Sequence, residues 1–225
     1  MSDKKKKQTG KDAKEKLLQV AIKIFAIHGF EGASTRLLTK EAGVNISAIP
    51  YYFESKEGLY EAVVRHIISQ ASEKVGEMIQ HIKAALEEGT LTQATAGELL
   101  HQFIRRMSFF LLSGQNAPYF AQIIVREQMQ PSSVFEILYD DFMGPVHATL
   151  TRLIGFLCGT GEDEVETILC THSILGQVMV FKTHQELALR RLGVTSLSAE
   201  NVETIIQLML QNIDAVIVAH RRRDE

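Results

Sequence analysis

Between residues 35 and 56 the sequence sets hydrogen-bonding and small side chains at short intervals. Thr35 and Arg36 come first, then Asn45, Ile46, Ser47 and Ala48, then Pro50, Tyr51 and Tyr52, and finally Lys56. Hydroxyls, an amide, a guanidinium and an ammonium suit the binding of phosphate oxygens and base edges rather than bond breaking. Tyr51 and Tyr52 are adjacent and face different ways, and their hydroxyls can donate to phosphates, whereas Phe53 reads as core. Lys56 stands where a long helix is expected to begin, a place the helix dipole makes unfavourable for a cation, so a phosphate partner suits it better than bare solvent. Patterns for catalysis are missing. The sequence has no His-Glu-x-x-His, no paired Glu-x-x-His, no Gly-rich phosphate loop and no nucleophile elbow. Glu166 and Cys170 share a helix face while His172 points elsewhere, so no metal triad forms, and neither a metal nor another cofactor is expected. A helical enzyme or metal-binding bundle, and an architectural DNA-binding protein without an effector, are the alternatives.

Charge is distributed unevenly. Net charge is −3, yet residues 1–60 carry 11 Lys/Arg against 7 Asp/Glu, and the remaining 165 residues carry 13 against 20. A basic head on an acidic body lets one end approach phosphates while the rest repels them. A lysine-rich tail on an otherwise neutral protein would give the same balance. Lys4 to Lys7 follow the first residues in place of a signal-peptide apolar core, and no run of about 18 apolar residues exists to span a membrane. Cys158 and Cys170 are too few and too far apart for a disulfide framework, so a cytoplasmic protein without a membrane partner is expected.

The elements that must position these residues read as helices. An apolar fraction of 45%, four prolines and long stretches of helical periodicity make an all-α fold the expectation. Residues 1–10, lysine-rich and ending in Gly10, read as a disordered basic tail. A helix follows from about Asp12 to His28, stopped by Gly29. Ser34 and Thr35 can cap a two-turn helix that ends at Ala42, where Gly43 permits a left-handed cap. Asn45 can cap a second short helix from Ile46 to Phe53, and a long helix starts near Lys56. Leu38, Ala42, Val44, Ile49 and Phe53 form the small core of this helix-turn-helix unit. Pro50 removes one helical amide and biases Ile49 away from helical geometry, so a distorted second helix, or one begun by a tight turn, is expected. Later helices are expected at about 96–113, 118–130, 133–157, 162–191 and 198–221. A Ser133/Glu136 capping box opens the third of these, and Gly144-Pro145 should kink it.

Two further sets of side chains invite a function. Phe103, Phe110, Phe120, Tyr139, Met143 and Met179 offer aromatic and soft apolar lining, with Arg106, Arg126, His147 and His172 as polar anchors. Core packing explains each one singly, whereas together they suggest a small-molecule effector cavity near the expected kink. The helices expected at 162–191 and 198–221 read as a homodimer interface, with Val202, Ile206, Met209, Ile213, Val216 and Ile217 making a wide apolar stripe on the last, though a monomer could bury that stripe internally.

Residues 17–60 carry a resemblance. Leu17 to Phe25, Gly29, Thr35, Ala42-Gly43-Val44, Tyr52-Phe53, Ser55-Lys56-Glu57 and Leu59 resemble the DNA-binding domain of TetR-family transcriptional regulators. Arg126-Glu127-Gln128, Pro131, Gly144-Pro145 with His147, and residues 150–154 are similar to the CecR/YbiH-like subgroup. The resemblance implies a helix-turn-helix DNA-binding domain at 11–57 and a helical effector-binding and dimerisation domain at 58–225. It implies a second short helix in the major groove of double-stranded operator DNA, with Arg36 at a base edge and Thr35, Tyr52 and Lys56 on phosphates. Small Ala48 would allow close approach. The usual family pattern has an aromatic residue where this chain has Pro50. A repressor released by an effector is the implied function.

Overall fold

The computed structural model describes residues 2–113 and 116–222, with side chains from Asp12 onward. All regular structure among them is helical. The helices are α1 (Ser2–Gly32), α2 (Thr35–Ala42), α3 (Ala48–Phe53), α4 (Lys56–Glu87), α5 (Gln93–Ser113) and α6 (Ala117–Met129), followed by α7 (Phe135–Leu138), α8 (Gly144–Cys158), α9 (Val165–Thr183), α10 (Gln185–Leu192) and α11 (Ala199–His220). They form two compact units, one of Met1–Ser69 with Gln122–Leu138 and one of Gln70–Ala121 with Tyr139–Glu225. The first is larger than the expected 11–57, because it recruits the opening turns of α4 and a segment more than fifty residues further along.

The first unit starts earlier than expected. The lysine-rich residues read as a disordered tail are helical from Ser2, continuous with α1. That stretch contains no proline, lysine is a good helix former, and Gly10 costs only about 1 kcal/mol in a helix interior. Regular helix ends before Gly29, whose φ is 71°. Leu17, Ala21, Ile22 and Phe25 of α1 are buried with Leu38, Ile49, Phe53, Leu59 and Val63. Phe25 and Tyr60 pack with ring centroids 4.7 Å apart, and Phe30 lies 5.3 Å from Tyr60. Ser34 caps α2 by accepting from the Leu37 amide, and Gly43 closes it in the left-handed conformation.

The second unit is a bundle around one apolar core. Phe103, Ile104, Leu150, Leu153, Ile154, Ile174, Ile206 and Ile213 are almost fully buried there. The helix expected at 133–157 is divided by a π-helical turn at Tyr139–Met143. Pro145 has no amide to continue the ladder, and Thr149 Oγ1 donates to the Pro145 carbonyl on the next turn. The preceding turn is organised by Ser132 rather than Ser133: the Phe135 amide donates to the Ser132 carbonyl and the Val134 amide to its Oγ. The helix expected at 162–191 is two helices, parted at His184. Ser198 and Asn201 form the capping box that starts α11. By length and composition alone α11 could cross a membrane, although Glu203, Gln207, Gln211 and Asp214 interrupt its apolar residues. Its apolar face, from Val202 to Ile217, lies in the bundle core.

Candidate nucleic-acid interface

The turn between α2 and α3 is built by one side chain. Asn45 Oδ1 accepts from both the amide and the hydroxyl of Ser47, each at 2.9 Å. The chain then enters α3, whose first helical bond runs from the Tyr51 amide to the Ser47 carbonyl. Pro50 therefore sits in the first turn, where no intrahelical amide is required, and the tight start is the outcome its ring enforces. Helix begins at Ala48 rather than Ile46. Three of the six residues of α3, Ala48, Ile49 and Phe53, face the core, and Tyr52 is half-buried. Ala48, expected to allow close approach to DNA, is buried in this packing.

What faces solvent is a compact surface. Arg36, Asn45, Ile46, Ser47, Pro50 and Tyr51 are exposed, with Thr35 half-buried beside them. Ile46 is 58% and Tyr51 79% exposed. The Tyr51 ring meets Tyr52 edge to face at 4.7 Å, which orients both hydroxyls. The Arg36 guanidinium has no hydrogen-bond or ion-pair partner among the described residues. A guanidinium fork free at the start of α2 and an uncluttered short helix beside it can contact base edges and phosphates together.

Lys56 is placed differently. Its Nζ donates to the Phe30 carbonyl at 3.0 Å and lies 4.1 Å from the centre of the Phe30 ring. The ammonium ties the end of α1 to the start of α4 and does not stand free for a phosphate, as was expected of it. The cost of a cation at a helix start is met here by a carbonyl and a π face. Glu54 joins α3 to α4 in a strained turn, with φ at 67° and the Ser55 amide donating to the Phe53 carbonyl at 2.7 Å. Gly58 makes this approach possible, since a Cβ there would lie 2.1 Å from the Phe53 carbonyl oxygen. Sequence reasoning passed over Gly58. Its only signal is a glycine inside an otherwise good helix.

The recruited segment braces the same unit. Arg126 Nη2 donates to the Ala26 carbonyl at 3.2 Å, and its guanidinium occupies the space a side chain at Gly29 would need, 2.5 Å from a Cβ there. Glu127 is buried. It accepts from the Tyr60 hydroxyl at 2.7 Å and from both the amide and the hydroxyl of Ser132. Burial and the neighbouring carboxylate push the Tyr60 phenol far above its ordinary range. Arg126, expected as an effector anchor, thus braces the first unit and does not line the cavity of the second.

Of the other candidate effector residues, three come together. Arg106, Phe110 and Phe120 line a cavity of about 680 Å³ in the second unit, with Gln70, Glu73, Lys74, Phe109, Ser113, Asn116 and Ala117. Phe103 is fully buried in the core. Tyr139, Met143, His147, His172 and Met179 do not line this cavity. Tyr139 is half exposed in the π-helical turn, and Met179 packs on the core. His147 and His172 have ring centroids 6.1 Å apart, and burial first, then the His172 charge, holds His147 below the usual imidazole range.

The stripe read as a dimer interface is also reassigned. Val202, Ile206, Met209, Ile213 and Ile217 are buried in the chain's own core, with Val216 packed against them. They are not available to a second chain. Apolar periodicity reports that a face is covered, without saying by what. The exposed apolar residues of these helices are Val165, Ile168, Leu169 and Val180 on α9 and Leu208 and Val218 on α11.

Comparison with known proteins agrees with this geometry. Residues 17–63 match the family of bacterial regulatory proteins of the tetR family, and residues 96–219 match the C-terminal domain of the HTH-type transcriptional dual regulator CecR. Over 208 residues the chain is 31% identical to the HTH-type transcriptional dual regulator CecR of Shigella flexneri, covering 92% of each protein. It is 31% identical over 96 residues to the probable HTH-type transcriptional regulator YttP of Bacillus subtilis, 43% of this chain and 42% of that one. Among solved structures, AibR in complex with isovaleryl coenzyme A and operator DNA aligns with a TM-score of 0.65 at 14% identity, covering 89% of this chain and 97% of that one. A HlyIIR mutant aligns with a TM-score of 0.62 at 19% identity, covering 96% and 99%. At these identities the two structures share the fold.

Proposed function

Since the chain belongs to the TetR family of bacterial transcriptional regulators and carries the C-terminal domain of CecR, we propose that it binds a two-fold operator as a homodimer, in the cytoplasm, and that a small molecule in the cavity beside Arg106 controls this binding. The observation that carries the DNA-binding part is the surface formed by Arg36, Asn45, Ile46, Ser47, Pro50 and Tyr51. These side chains are exposed while every neighbour that supports them is buried or bonded. In this reading α3 enters the major groove, Arg36 reads a base edge, and Thr35, Tyr51 and Tyr52 meet phosphates.

The dimer half of the reading moves to a new face. Val165, Ile168 and Leu169 recur at helical spacing on the outside of α9, and Leu208 and Val218 are exposed on α11. A second copy of the chain would cover them, which pairs two reading helices as a palindromic site demands. The cavity supports the effector half: its volume is within the range of small-molecule sites, and AibR shows that this fold can hold a ligand and operator DNA.

Selection of bound fragments from a random-sequence DNA pool tests the reading. Enrichment of a site with two-fold symmetry, its half-sites about 34–36 Å apart or a multiple of that, is expected. A pool that enriches nothing, or an asymmetric site bound by one chain, contradicts it. Sedimentation of Leu169→Asp checks the dimer face, with monomers expected.

A further inference from the structure

Two cavities in the second unit meet at one side chain. Arg106 lines both the cavity of about 680 Å³ and a neighbouring one of about 530 Å³. Their charges differ. The smaller cavity contains the carboxylates of Glu77 and Glu98 and the imidazole of His81 besides Arg106. In the larger one Glu73 is already paired with Lys74 at 2.9 Å, so the guanidinium of Arg106 is the charge left over. Arg106 has no hydrogen-bond or ion-pair partner among the described residues. Its neighbour Arg105 shows what this chain does with a structural arginine: Nη1 reaches both oxygens of Glu203 at 2.8 Å.

The walls beside Arg106 are aromatic. Phe110 and Phe120 have ring centroids 6.0 Å apart, inclined at 33°, and Phe109 is 44% exposed beside them. Phe109 and Phe110, partly open to solvent beside the buried Phe120, gain by burial under an apolar body, while the unpaired fork gains from anionic oxygens.

We propose that the larger cavity takes an amphipathic organic acid, with its carboxylate or sulfonate on Arg106 and its apolar body against Phe109, Phe110 and Phe120. This rests on the reading of that cavity as the effector site and adds the chemical class of its ligand. The smaller cavity, with two carboxylates, repels the same anion and leaves the larger one as its seat.

The probes are two fluorescent molecules of nearly the same shape, the anion 1-anilinonaphthalene-8-sulfonate and the uncharged N-phenyl-1-naphthylamine. Each is titrated into the full-length wild type, Arg106→Met and Phe109→Ala, with melting curves to confirm folding. The sulfonate is expected to bind saturably at one site per chain, and about tenfold more tightly than the neutral probe, as a charge-assisted bond requires. Arg106→Met removes that advantage and leaves the neutral probe within about twofold, since only the charged contact is lost. Phe109→Ala weakens both probes. No saturable sulfonate binding, or a sulfonate affinity unchanged in Arg106→Met, overturns the proposal. If both probes still respond to Phe109→Ala in that case, the cavity remains a ligand site and only the anion class fails. If neither responds, the effector reading of the cavity fails with it.

Discussion

In the DNA-facing unit, the side chains offered to a partner ride on helices of eight and six residues, α2 and α3. Each is held by identifiable single contacts: the Ser34 cap, the Asn45 turn, the Lys56 tie to Phe30, the strained turn at Glu54. In the second unit, the cavity residues ride on helices of 32 and 21 residues, α4 and α5, and on the start of α6, and the bundle is held by a broad apolar core. The difference teaches where each unit is fragile. Removing one tie in the first unit re-aims a reading helix while the fold survives. In the second unit the fold is expected to absorb changes at the cavity wall and to yield when the core itself is emptied.

The largest effect should come from the core. Phe103→Ala is expected to cost about 3–5 kcal/mol of stability, read by denaturant melts, because it empties a fully buried site. Gly58→Ala should cost less stability, about 1–3 kcal/mol as overpacking does, and yet lower DNA affinity far more than Phe103→Ala does in protein that stays folded. Its new methyl group pushes on the Phe53 carbonyl and tilts α3. If the DNA losses of the two variants rank the other way, the comparison is broken.

Lys56→Met sharpens the comparison further. Loss of the bond to Phe30 should cost about 1 kcal/mol of stability. The salt dependence of DNA binding should stay as in the wild type, whereas a phosphate contact would lower the slope by about 1. The smallest effect concerns pH. His147 is held below its ordinary value near 6.5, so the unfolded chain takes up a proton first as pH falls through that value. Stability contributed by neutral His147 is full above pH 6.5, declines below it, and levels off once the folded imidazole also protonates. His147→Gln should flatten that decline in melting curves, and an unchanged profile would show that other groups cause it.

Legibility in the sequence followed the range of the contacts. The caps at Ser34 and Gly43 and the tight start forced by Pro50 depend on residues within four positions, so residue types alone announced them, whereas Asn45, expected to cap a helix from Ile46, bonds Ser47 in a turn ahead of a helix that begins at Ala48. The tie from Lys56 reaches back 26 positions and the bond from Arg126 reaches 100, and neither residue announces its partner. Both were read as solvent-facing or ligand-facing charges for that reason. The stripe on α11 was visible, but periodicity cannot distinguish a partner chain from α5, α8 and α9 of the same chain. The cavity was legible in part. Aromatic residues and Arg106 marked it, while the division of the expected long helix by a π-helical turn carried Tyr139 and Met143 elsewhere.

The central claim is that this chain reads DNA sequence through the surface of α2 and α3, with Arg36 as the base contact. It is tested most directly by the affinity of wild type and Arg36→Ala for the selected operator and for random duplex of equal length, by anisotropy at fixed salt. Arg36→Ala should lose about 1–3 kcal/mol on the operator and little on random DNA, so that preference relaxes at one base pair per half-site. Equal losses on both duplexes would make Arg36 a phosphate contact and contradict the account.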